Sequence, residues 1–134
     1  EDARYADLRR EWGEAHPRRL FWFLQAQAAA GLPLVAAMAL AANRPGPIDV
    51  FDMIGAAVLL TGVIGTGFSD WQLARFKADP RNKGRVCDVR LWSLSRHPNY
   101  VFEWLSWCAW PIIAFDIVGY PVGLFALLAP ALMY

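Results

Sequence analysis

Sulfur and imidazole are scarce in this chain: two cysteines and two histidines stand among 134 residues. Cys87 falls in a charged stretch and Cys108 in an apolar one, and neither belongs to a metal-ligand spacing. Both are expected to be reduced and unpaired, which excludes a disulfide scaffold. With His16 and His97 so far apart, a zinc site is not expected either. Net charge is nearly absent, +1 from 13 basic and 12 acidic residues, which argues against a general nucleic-acid binder. Low-complexity segments and internal repeats are missing. No secretory signal is read, because the first apolar run is too long and has no cleavage site.

What is present is apolar bulk: 57% of residues are hydrophobic and 14% aromatic, which argues against disorder. The charges are segregated around four uncharged runs, 20–42 (23 residues), 53–69 (17), 104–115 (12) and 117–134 (18). At ~1.5 Å per helical residue the first crosses a hydrocarbon layer of ~30 Å. It lacks the polar face of a soluble helix. Five arginines (Arg4, Arg9, Arg10, Arg18, Arg19) precede the first run and seven basic residues, Arg75 to Arg96, follow the second, leaving only Arg44 between. Twelve of thirteen basic residues thus fall on one side of a two-span hairpin, the side that the positive-inside rule places in the cytoplasm. Trp22, Trp71, Trp92 and Trp104 lie near the span boundaries, where aromatic belts form.

The expected fold is all-α: a multi-span helical membrane protein with about four hydrophobic helices, the last two a short hairpin. Along the single partial domain 1–134 the expectation is a surface helix over 1–17, spans over 20–42 and 49–77, a cytoplasmic loop over 78–97 and a truncated hairpin over 98–134. Tyr5, Leu8 and Trp12 recur at helical spacing in the first segment, and Pro17 is expected to end it. Gly31 and Pro33 are expected to bend the first span. Gly55, Gly62, Gly65 and Gly67 give the second a small-residue face for close packing. Beginning at Glu1 and ending in an apolar run, the sequence reads as a piece of a longer protein.

Polar groups where a helix enters an apolar segment are costly unless something binds them. Arg96, His97, Asn99, Tyr100 and Glu103 form such a group around Pro98, a residue suited to a first helical turn. The unpaired N–H groups of that turn and the helix dipole favour an anion. Asn99 and Glu103, four apart, share a face and lie further inward. At the end of the second span Asp70 and Lys77 are seven apart and again share a face. The pattern suits a nucleotide, with cations for its phosphates and Asp70, Asn99 and Glu103 for ribose or carboxamide. Each residue also has a bland role: headgroup anchor for Arg96, cap for His97, a satisfied carboxylate for Glu103, a local arginine pair for Asp70.

The segments SDWQLARFK (69–77), NKGRVCDVRLW (82–92) and SRHPNYVFEW (95–104) together resemble the membrane-embedded steroid 5-alpha-reductase family, in its bacterial branch. The resemblance covers 1 to about 121. It implies NADPH as cofactor, with Asp70, Lys77, Arg96, His97, Asn99, Tyr100 and Glu103 on the cofactor side. It also implies reduction of a carbon–carbon double bond conjugated to a carbonyl in a lipid-like, steroid-like substrate. The catalytic acid it implies would come from N-terminal helices outside this sequence, so no catalytic residue is assigned. Two departures stand out: Arg90 where the branch has glycine, and Ser93-Leu94 in place of an Arg-Tyr pair. The shorter motif RHPNYVFE is also similar to isoprenylcysteine carboxyl methyltransferases, so an S-adenosylmethionine-dependent methyltransferase is the alternative; a non-enzymatic membrane component is a third reading. The expected partners are the lipid bilayer and a lipid-like enone, with no nucleic acid. The expected location is a multi-pass integral membrane position with cytoplasmic basic loops, in a bacterial inner membrane.

Overall fold

The computed structural model describes residues 3–133; Glu1, Asp2 and Tyr134 lie outside it, as do the side chains of 3–6 and Glu14, and with them Tyr5 of the first helical stripe. Among the described residues the chain is all-helical, with no strand. Its helices are α1 (Ala3–Trp12), α2 (His16–Ala42), α3 (Val50–Ala78), α4 (Leu91–Leu94), α5 (Pro98–Ile113) and α6 (Leu128–Met133). Short 3-10 turns cover Gly13–Ala15, Pro80–Asn82 and Pro121–Leu127. The chain divides into two compact units, Glu1–Leu32 and Pro33–Tyr134.

In the first unit α1 stops at Trp12 because Gly13 turns left-handed, with φ of 49°. Pro17, expected to end this helix, instead lies in the first turn of α2, where its missing N–H leaves no bond unmade. The Trp12 indole packs its edge against Phe23, with centroids 6.1 Å apart.

The second unit is organised by α3 and α5. Arg44, Asp49 and Asp52 start α3. The Asp49 carboxylate accepts from the Phe51 and Asp52 N–H groups at 2.8 and 3.3 Å, while that of Asp52 accepts from the Asp49 N–H at 2.9 Å. This reciprocal box satisfies helix donors that would otherwise be orphaned. The Arg44 guanidinium, only 8% exposed, bridges both carboxylates. Its hydrogen bond holds the Asp49 carboxyl down to about 2, and the Asp49 carboxylate in turn raises Arg44.

One stripe of α3, Gly55, Gly62, Gly65, Ser69 and Gln72, is buried. A Cβ at Gly62 would collide with Ser106 Oγ and lie 2.7 Å from the Phe102 carbonyl oxygen, and one at Gly65 would enter the Phe102 ring. The glycines therefore let α5 approach to backbone contact, as close helix pairs require. Gly67 is not part of this face: it is exposed and a Cβ there would meet nothing. Its helical phase explains this, since five residues beyond Gly62 turn it ~140° away.

The expectation of four hydrophobic helices needs correction. Two helices, α2 and α3, are long and apolar enough to cross a membrane. The third apolar run forms most of α5, which has 16 residues. The fourth is broken: Asp116 accepts from the Val118 and Gly119 N–H groups, and Pro121 then opens a 3-10 turn before α6. An apolar run fixes burial and not conformation, and Gly119 and Pro121, just after Asp116, divide this one. The segment still folds back on α5, where Trp104 Nε1 donates to the Pro130 carbonyl at 2.9 Å. A cluster of buried alanines, Ala37, Ala41, Ala114, Ala126 and Ala129, joins it to the end of α2.

Candidate cofactor site

The last turns of α3 leave the packed stripe pointing at the segment between α3 and α5. That segment is tied down at two points. Trp92 Nε1 donates to the Ser69 carbonyl at 3.0 Å, and the Leu91 N–H donates to Gln72 Oε1 at 3.3 Å. Between them Val89 and Trp92 close a tight turn, Trp92 N–H to Val89 carbonyl at 3.1 Å. Arg90 sits at its first corner with φ of 53° and ψ of −119°, a conformation suited to glycine. The glycine expected from the resemblance thus has a physical reason, and Arg90 occupies the position under strain. Upstream, Asp79 caps the Pro80–Asn82 turn by accepting from the Arg81 N–H at 3.0 Å. The Arg81 guanidinium beside it lowers the Asp79 carboxyl.

This loop and α3 enclose a cavity of about 700 Å³. Leu73, Phe76, Val86 and Trp92 give it apolar walls, and Lys77, Arg85, Arg96 and His97 give it donors against one carboxylate, Asp88. Lys77, Arg96 and His97 of the sequence reading therefore line one space. Tyr100 stacks on His97, with ring centroids 5.2 Å apart and planes inclined by 23°. Asp70 and Asn99 meet across the α3–α5 contact, where Asn99 Nδ2 donates to Asp70 Oδ1 at 3.0 Å. Asn99 Oδ1 is buried and has no partner. Glu103 is exposed, one turn further along α5.

Residues absent from the sequence-based site also line the cavity: Arg85, Asp88 and Trp92. Their signal was present, since all three lie inside the 82–92 motif. Gln72 had a signal too. It continues the stripe Gly62, Gly65, Ser69, and a polar amide on a packing face needs a partner.

The donor set suits a phosphorylated nucleotide. Two guanidinium groups and an ammonium supply charge-assisted bonds for phosphate oxygens. The orphaned Asn99 Oδ1 supplies a buried acceptor, which a carboxamide or hydroxyl donor would satisfy. Among the described residues no group of three or more His, Cys, Asp or Glu is placed to hold a metal ion.

The architecture defines a class: an all-helical chain with two membrane-length helices and a cation-lined cavity where the longer of them, α3, ends. The chain belongs to the family described as protein of unknown function DUF1295, whose model matches residues 1–134. No curated protein and no solved structure matches it.

Proposed function

We propose that this protein is a membrane-embedded, NADPH-dependent reductase of a carbon–carbon double bond conjugated to a carbonyl in a lipid-like substrate. The observation that carries the reading is the cavity lined by Lys77, Arg85, Arg96 and His97, together with Asn99, two residues along the chain from His97, whose buried carbonyl has no partner. Lys77 and the two arginines would hold the phosphates, and a cationic set of this size is more than S-adenosylmethionine requires. Asn99, fixed by its bond to Asp70, would accept from the nicotinamide carboxamide. The bound cofactor supplies a hydride for the β-carbon of the enone. What this chain contributes is binding and orientation. Tyr100 holds the His97 ring in place by stacking, and the Trp92 and Gln72 bonds hold the loop against α3.

The membrane setting is supported by exposure. Only 11% of the most apolar window of α3 is buried, whereas a soluble core helix would be mostly covered. The resemblance of the 69–77, 82–92 and 95–104 motifs to steroid 5-alpha-reductases supports the reaction class.

Calorimetric titration of the detergent-purified, full-length protein with NADPH, NADH and S-adenosylmethionine tests the reading. We expect NADPH to bind at least about tenfold more tightly than NADH, a difference of ~1.4 kcal/mol. Binding of S-adenosylmethionine alone would replace the reductase by a methyltransferase.

A further inference from the structure

A second cavity, of about 360 Å³, shares only Phe76 with the cofactor cavity. Its polar residues are Gln72, Arg75, Asp79, Asn82 and Arg90. Two of these are already used. Asp79 is paired with Arg81 at 2.9 Å, and Asn82 Nδ2 donates to the Phe76 carbonyl at 2.9 Å. Among the described residues Arg75 and Arg90 have no carboxylate partner. Arg75 lies over the Trp71 ring, 5.6 Å from its centroid, which fixes the base of one guanidinium. Gln72 is 5% exposed; its Oε1 accepts from Leu91 N–H, while its Nε2 has no partner.

Apart from the Asn82 side-chain oxygen, the unused groups are donors: two guanidinium forks and a buried amide. A buried donor without an acceptor is costly, and two unpaired cations beside it make a neutral acceptor a poor match. A tetrahedral oxyanion offers several acceptor oxygens and the charge to meet both forks. We propose that this cavity binds a phosphate group, a phosphomonoester or phosphodiester anion, separately from the nucleotide. Two sources share that chemistry: a soluble phosphate and a phospholipid headgroup. Trp71, 49% exposed at the edge of the cavity, suits an interfacial position for the second.

Two substitutions test this. Arg90→Gly removes one fork and relieves the left-handed corner. Gln72→Glu keeps the oxygen that accepts from Leu91 N–H but replaces the donor with an anion. In one arm, inorganic phosphate is titrated into the full-length protein in neutral detergent. In the other, melting temperature is compared in the same phosphate-free neutral detergent with and without added phosphatidylglycerol. Phosphate binding that falls at least about tenfold in both variants, with the Arg90→Gly melting temperature unchanged or raised, supports the site. Stabilisation by phosphatidylglycerol that Arg90→Gly abolishes assigns it to lipid; phosphate binding without that stabilisation assigns it to a soluble ester. Absence of both effects overturns the proposal. So does binding that survives in the two variants and disappears in Lys77→Ala, which would belong to the cofactor cavity. The result is independent of whether NADPH binds.

Discussion

The two ends of α3 both gather charged side chains and treat them in opposite ways. At its start Arg44, Asp49 and Asp52 satisfy one another and the helix N–H groups, so nothing is left to bind. At its end Lys77, Arg85 and Arg96 share a cavity with one carboxylate, and Asn99 and Gln72 each keep a buried polar atom without a partner. Charge alone does not mark a site. Buried polar atoms beside it that the fold leaves unmatched do, because an unpaired buried group is retained only where something else completes it.

The contrast can be attacked first through what joins the two ends. Gly62→Val would drive side-chain atoms into Ser106 and the Phe102 carbonyl, so we expect ~1–3 kcal/mol of destabilisation, measured by unfolding in detergent. The same substitution at exposed Gly67 should change stability by less than ~0.5 kcal/mol beyond helix propensity. Arg44→Ala comes next, at ~1–3 kcal/mol, since it leaves two carboxylates without their cation. The smallest effect is on acidification. The Asp49 carboxyl is lowered to about 2 from 3.8, so its folded form binds its proton later than the unfolded chain does. Its contribution is complete above 3.8 and declines as pH falls toward 2. A pH series of melting temperatures should show that decline, and Asp49→Asn should remove it.

Much of this frame was legible in the sequence. The start of α5 at Pro98 coincides with the reading, because proline and the polar cluster mark that end. The packing face of α3 was legible at Gly55, Gly62 and Gly65. Gly67 was misplaced because composition was used where helical phase decides. The final apolar run was harder, since hydropathy does not distinguish an α-helix from a 3-10 turn. The left-handed corner at Arg90 has no local signal of its own, as a non-glycine residue there is uncommon. Its structural reason appears only once the Val89–Trp92 turn is seen. Gln72 was passed over because motif reading favoured charged residues over a neutral amide.

The most direct measurement is thermal unfolding of Arg44→Ala and Lys77→Ala, each with and without saturating NADPH. Lys77 is exposed on α3 and makes no ion pair among the described residues. The account predicts that Arg44→Ala melts lower but keeps the full NADPH-induced rise, while Lys77→Ala melts like the parent protein and loses most of that rise. An undiminished rise in Lys77→Ala, or its loss in Arg44→Ala alone, would contradict the division of α3 into a structural end and a binding end.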